Sequence, residues 1–304
     1  MAINVDKLTA YVEEKRKPLI LNAVIGAQST QLLNLQTAVK GSAALNLLNT
    51  AVKFGDGSAC GWDEAGTSEL SQRVIEAKPV KINQSFCDKA LLKTWMNYDV
   101  QVAAGQKTLP FAEDFVAGVV NGVKANLEKA IWQGDTASND DNLNKFDGLV
   151  KIIEAAEIGA THTYAAGASV EDIIEAVYGL IPAECYQKGE VAIFCGNDMY
   201  HKYILELSKH SGYLYAPEKD AEGKEMVKVP HTNVTVYGVD GLNNTGKVFA
   251  SYKDNFVFGT DLAGDEEKFD LWYSQDNREF RLAIEFTAGT QVAQPDMIVE
   301  AKEA

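Results

Sequence analysis

One thiol and three imidazoles stand first among the residues able to do chemistry. Cys195 ends the apolar run VAIFC and directly precedes GNDMYHKYILEL, whose pattern predicts a helix. A helix N-terminus lowers a thiol pKa and favours the nucleophilic thiolate. His201, His210 or His231 would then serve as the base. Against this, VAIFC is an apolar strand whose last residue is as readily a small packed side chain. Carboxylates are paired at Glu13 and Glu14, Asp140 and Asp141, and Glu266 and Glu267. All three pairs lie in polar, turn-like sequence, the setting of solvated acids rather than of the separated, oriented pair a glycosidase requires. Asp135, Asp140 and Asp141 lack the alternating spacing and terminal glutamate of a calcium loop. The cysteines Cys60, Cys87, Cys185 and Cys195 form no C-x-x-C pair, and His162, His201, His210 and His231 do not cluster with them. No metal, redox or cofactor site is therefore expected. Phosphate-loop, H-E-x-x-H and G-x-S-x-G motifs are absent from the sequence. Tyr213 and Tyr215 suit ligand stacking, an interface or a core equally well.

The elements that would position such groups are read from composition and period. The chain has 304 residues, 46% of them hydrophobic, enough for a sizeable core in one large domain or two ordinary ones. Its N-terminus mixes acids with bases and has no apolar run of signal length, and no stretch is long and apolar enough to span a bilayer. A soluble product, intracellular when made, is the expectation. With 28 basic and 43 acidic residues the formal charge is −15, which disfavours electrostatic gripping of nucleic acid.

Residues 1–51 carry scattered apolar side chains without a sustained period. They read either as an arm laid across another surface or as a helix-turn-helix start packed on its own core. From Val52 to Cys87 the pattern is extended, with two limbs about the turn-rich DEAGTS; Pro79 places the second limb at an edge or in a free ribbon. A long polar hairpin has little core and must lean on something else. CDKALLKTWMNYDVQV reads as a helix, and PFAEDFVAGVVNGVKANLEKAIWQGD as a longer one over about 110–133. Gly118 and Gly122 weaken the longer helix on one face by roughly 1 kcal/mol each relative to alanine. Their spacing predicts a place where another backbone approaches closely. SVEDIIEAVYGLI, EVAIFCG and NDMYHKYILELSKH then read as helix, strand and helix, and the C-terminal third as strands, which gives an α+β class.

The order of these parts resembles the major capsid protein of tailed bacteriophages, the Hong Kong ninety-seven fold, over nearly the whole chain. SELSQRVIEAKPVKINQSFCDKALLKTW is similar to the returning limb of that family's E-loop and the helix after it. FAEDFVAGVVNGVKANLEKAIWQGD with FDGLVKII resembles its spine helix and first peripheral strand. VAIFCGNDMYHKYILEL resembles its axial domain, and KVFASYKDNFVFGTDL onward its returning strands. The resemblance implies an N-terminal arm (1–51), an E-loop (52–87), a first peripheral part with the spine helix (88–164), an axial domain (165–258) and return strands (259–304). It implies a structural, non-enzymatic coat subunit assembling as hexamers and pentamers into an icosahedral head around double-stranded DNA. Such a head belongs to the virion and is assembled in the bacterial host cytoplasm, without a membrane. A separate scaffolding protein is expected, since Met1 stands almost at the arm, together with a portal and cement proteins. Interface candidates are Glu69, Arg73, Glu76, Lys78, Lys81, Gly118 and Gly122. An encapsulin-like compartment shell is the alternative within the fold; a soluble thiol-dependent enzyme using Cys195 and a surface-binding module are the alternatives outside it.

Overall fold

A computed structural model describes residues 15, 18–54, 66–87, 111–210, 218–219, 225–261, 268–277 and 279–304. The helix expected from CDKALLKTW, the acid pairs Glu13–Glu14 and Glu266–Glu267, Cys60, Tyr213 and Tyr215 lie outside the described residues.

The N-terminal region resolves the first of the open readings. Residues 18–25 are helical, α1 follows at Gln28–Leu32, and β1 spans Asn34–Thr37. Ile20, Ala23, Val24, Ala27, Leu32 and Leu33 are all buried in the chain's own main core. This stretch is therefore packed on its own body rather than laid out as a free arm, and β1 pairs in parallel with β11 (Phe256–Thr260).

The hairpin expected over 52–87 is shifted. β2 (Ser42–Val52) pairs antiparallel with β3 (Gly66–Glu76), from Ser42↔Glu76 to Val52↔Gly66. The next strand, β4 (Lys78–Cys87), leaves the hairpin and pairs with β13 (Glu279–Val292) over its whole length. Val80, Ile82 and Phe86 give β4 an apolar face that a free ribbon could not bury, which is why this limb joins the body. β4 is an edge strand, so Pro79 withholds its missing N–H from no interior ladder.

β13 is the axis of a five-stranded sheet. It carries β4 along one side, and β11 and β12 (Lys268–Ser274) at different ends of the other. Against this sheet lies α2 (Phe111–Gln133), 23 residues long, or about 35 Å at 1.5 Å per residue. Val116, Val120, Val123, Leu127, Ala130 and Ile131 are its buried stripe, as their helical spacing predicts. It ends at Gly134, where an added Cβ would lie 2.5 Å from the Ala130 carbonyl oxygen and 2.6 Å from that of Phe146. Gly148 donates its N–H to Gly134 O at 2.8 Å, so a close backbone approach lies here, whereas among the described residues no other segment's backbone lies within 4 Å of a Cβ at Gly118 or Gly122.

After α3 (Leu149–Glu154) the chain enters a seven-stranded mixed sheet ordered β5-β14-β10-β6-β9-β8-β7. Its strands are β5 (Ala160–Tyr164), β6 (Val191–Gly196), β7 (Glu218–Lys219), β8 (Glu225–Lys228), β9 (Thr235–Val239), β10 (Val248–Tyr252) and β14 (Val299–Glu303). Helices α4 (Val170–Leu180), α5 (Cys185–Lys188) and α6 (Asn197–His210) accompany it. The ladders cross the boundaries expected at 165 and 259. β5 and β14 both join this sheet, while β11, just before 259, begins in the other. Strand membership is fixed by pairing with distant segments, which local composition does not encode.

Trp132 joins the two sheets. Its ring centroid lies 5.6 Å from Phe194, and 6.1 Å from both Phe249 and Phe256. Those partners come from β6, β10 and β11, so one cluster of aromatic side chains spans both layers.

Candidate functional site

The thiol chemistry does not survive the fold. Cys195 is fully buried in β6, and its Sγ donates to Tyr237 O at 3.7 Å. Burial first, and the negative charge of Asp198 second, push this thiol far above its ordinary pKa, the reverse of what a nucleophile needs. His201 and His231 are exposed. Cys185 is likewise buried with its thiol pushed up by desolvation, its Sγ donating to Met297 O. The thiol-dependent enzyme is overturned for Cys195.

The acids after α2 organise a loop. Lys151 Nζ lies 2.7 Å from Asp135 Oδ1 and 2.6 Å from Asp147 Oδ1. Asp147 Oδ1 also accepts the Thr136 N–H and hydroxyl, and Asp135 Oδ1 accepts the Ala137 N–H. The Lys151 bond is the chief reason the Asp135 carboxyl titrates below its ordinary value. For Asp147, burial pulls upward, but the bonds from Lys151 and Thr136 outweigh it and the net shift is down. Both carboxylates hold the Lys151 ammonium above its usual range. Asp140 Oδ1 accepts the Asn142 N–H at 3.0 Å, a local turn contact. Among the described residues no group of three or more His, Cys, Asp or Glu side chains converges as a metal site, and no helix is long and apolar enough to cross a membrane.

The remaining unusual feature is the surface around the hairpin. Its inner face has a small core of its own: Leu45 and Ile75 pack with Val39, Ala77 and Val257 at the root. On its outer face Ala44, Val52, Leu70 and Val74 are exposed, in the register Ala44↔Val74 and Val52↔Gly66. Leu70 is 73% exposed, Val74 49% and Val52 72%, and Phe54 just beyond β2 is wholly exposed. Several large apolar side chains on one uncovered strand pair mark an interaction surface rather than scattered exposure.

The root of the hairpin is held by named contacts. Ala77 N–H donates to Gly41 O at 2.8 Å, and Gln291 Nε2 donates to Val74 O at 2.8 Å. Arg73 Nη2 donates to Gln291 Oε1 at 3.2 Å, and burial lowers the Arg73 pKa. Lys78 and Glu76 form an exposed pair at 2.7 Å. At Gly289 a Cβ would come within 2.1 Å of Glu76 O, so β3 crosses β13 almost in backbone contact.

Beside the root, α2 and β4 leave a groove of about 590 Å³. Val80, Ile82, Phe86, Val123, Leu127 and Phe286 give it apolar walls. Lys81 and Lys145 line it as exposed cations, and Gly118 and Gly122 form part of its helical side. A Cβ added at either glycine meets nothing within 4 Å, so these positions widen the groove and no described strand lies across them.

The structure thus places six of the seven interface candidates in two groups. Lys81, Gly118 and Gly122 share the groove, while Arg73, Glu76 and Lys78 gather at the hairpin root. Glu69 lies in β3 opposite Asn49, with its side chain outside the described residues. Lys145 and Gln291 escape sequence reading. Nothing local marks Gln291, whose partner Arg73 lies 218 residues away.

No protein-family model and no curated protein sequence matches this chain. Solved structures do. The procapsid of satellite phage P4 including its size determination protein matches with TM-score 0.58 at 12% identity, over 98% of this chain and 97% of that one. A virus-like particle from Pyrococcus furiosus matches with TM-score 0.53 at 10% identity, over 99% and 100%. A structure of Gordonia phage Cozz matches with TM-score 0.57 at 11% identity, over 92% and 86%. Over nearly its whole length the chain shares the fold of phage capsid proteins.

Proposed function

We propose that this chain is a coat subunit that assembles, as hexamers and pentamers, into an icosahedral phage head enclosing double-stranded DNA. The observation that carries the reading is the projecting hairpin. Its outer face leaves Leu70, Val74 and Val52 exposed, with Phe54 beside them, on a chain whose apolar groove between α2 and β4 is also open. Both features suit burial against neighbouring copies, and heterologous contacts of this kind close into rings and shells. On this reading β2 and β3 form the E-loop, α2 is the spine helix, and the two sheets belong to peripheral and axial domains. The charge of −15 suits a container that holds DNA without binding its sequence. A scaffolding protein, a portal and cement proteins are the further partners proposed, with assembly in the bacterial cytoplasm and residence in the virion.

Light scattering of the purified chain, with negative-stain images of the same sample, tests this. Megadalton particles or regular capsomers are expected. A species of 33.1 kDa that stays monomeric even when coexpressed with its scaffolding partner would sink the reading. A second reading, a compartment shell loaded with enzyme, draws on the match to the virus-like particle over 99% of this chain. Capture of folded cargo through a short peptide, with no nucleic acid inside, would select it.

A further inference from the structure

We infer that Arg73 receives a carboxylate from a second copy of this chain. This rests on the shell-subunit reading and names a contact within it. A guanidinium offers five N–H donors in a planar fork suited to a carboxylate. Arg73 uses Nη2 on a neutral acceptor, Gln291 Oε1 at 3.2 Å, and among the described residues it forms no ion pair. It lines a recess of about 510 Å³ between the hairpin root and the C-terminal end of α3. Asp147 shares that recess, but its Oδ1 already takes Lys151 and both Thr136 donors. Glu157, also in the lining, makes no ion pair with Arg73. The guanidinium is partly desolvated, and this burial lowers its pKa without a compensating charge.

The partner chemistry follows from charge. A second copy brings 43 acidic against 28 basic residues, so the surface it offers to a cation is rich in carboxylates. A neighbour packed along the hairpin passes its root, where Arg73 lines the recess beside Gln291 with only Nη2 engaged among the described residues. A bidentate pair there is stronger and more directional than a lysine contact. Partly buried arginines of this kind are frequent anchors of protein interfaces.

The test compares full-length wild type with Arg73→Ala, Arg73→Lys and Gln291→Ala. Assembly is followed by light scattering against protein concentration, and the unassembled chains by thermal unfolding. Arg73→Ala is expected to raise the half-assembly concentration by about tenfold or more. Arg73→Lys should recover part of that loss. Gln291→Ala should assemble within about threefold of wild type, since it removes only hydrogen bonds internal to the chain, among them those with Arg73 and with Val74 O. Arg73→Ala particles forming at the wild-type concentration would overturn the contact and leave the shell reading standing. Equal loss of assembly and of thermal stability in Arg73→Ala and Gln291→Ala would make Arg73 an internal strap, which also overturns it. A wild-type chain that never assembles removes both.

Discussion

Ser29 gives two hydrogen bonds to one buried carboxylate: its N–H reaches Glu128 Oε2 at 2.7 Å and its hydroxyl reaches Oε1 at 2.5 Å. The same hydroxyl accepts Trp132 Nε1–H at 2.6 Å. Glu128 is 3% exposed and Ser29 fully buried, so the N-terminal segment is clamped to α2 by charge-assisted bonds out of water. Glu128→Ala should destabilise the unassembled chain by about 2–4 kcal/mol, since it strands two donors and removes a buried helix side chain. Urea unfolding followed by tryptophan fluorescence measures this. A loss below half a kcal/mol would show that the clamp is dispensable.

The loop after α2 should depend on pH with a definite sign. Asp135 and Asp147 titrate below their ordinary values in the folded chain, so their contribution is present above the unfolded carboxylate range. It is lost as pH falls through their lowered folded values, below about pH 4. Lys151, raised by the same partners, contributes below its unfolded value and loses that contribution above about pH 10. Hydrogen exchange at the Thr136 N–H, which donates to Asp147, should accelerate in acid. Lys151→Met should flatten that dependence.

Four glycines separate folding from assembly. Beyond the helix's own backbone no described atom lies within 4 Å of a Cβ at Gly118 or Gly122, and each sits in a helix, so Gly122→Ala should stabilise the unassembled chain by about 0.5–1 kcal/mol. Gly118→Leu and Gly122→Leu should fold but impair particle formation, because they fill the groove. Gly134→Ala and Gly148→Ala should do the opposite and cost stability outright, since each new Cβ meets backbone within 2.6 Å. Calorimetry and sedimentation on the same samples distinguish the two classes. Normal particles from both leucine variants would show that the groove stays empty on assembly.

Cys195 should behave as a packed side chain. With the thiol fully buried and its pKa raised, alkylation in native buffer should proceed no faster than unfolding exposes it. Rapid labelling of Cys195 in the folded chain, read by peptide mass mapping, would contradict the fold of β6.

Much of this architecture is legible where period and chemistry agree. The buried stripe of α2, the strand VAIFC before a helix and the edge placement forced by Pro79 all follow from local pattern. What escaped was set by distance along the chain. β2 reads SAALNLLNTAV, in which Leu47 and Leu48 break alternation; its extended form is dictated by β3. The N-terminal segment hides its helical stripe of Ile20, Ala23, Val24 and Ala27 because two of the four are alanines, and its polar anchor, Ser29 to Glu128, spans 99 residues. The groove was half visible: Gly118 and Gly122 marked one wall, but Val80 and Ile82 reveal the other only once β4 joins β13.

The short connection from β3 to β4 has a mechanical consequence. Only Ala77 separates the hairpin from a strand laddered to β13 through ten paired residues. Tension drawn on the hairpin enters β4 at Lys78 and runs along the strand, across hydrogen bonds that stand perpendicular to it. The ladder is then loaded in shear, with its bonds sharing the force, instead of being unzipped one at a time. The other limb enters β1, whose parallel ladder to β11 divides the load again. A pull that would peel a surface loop is thus spread through the five-stranded sheet.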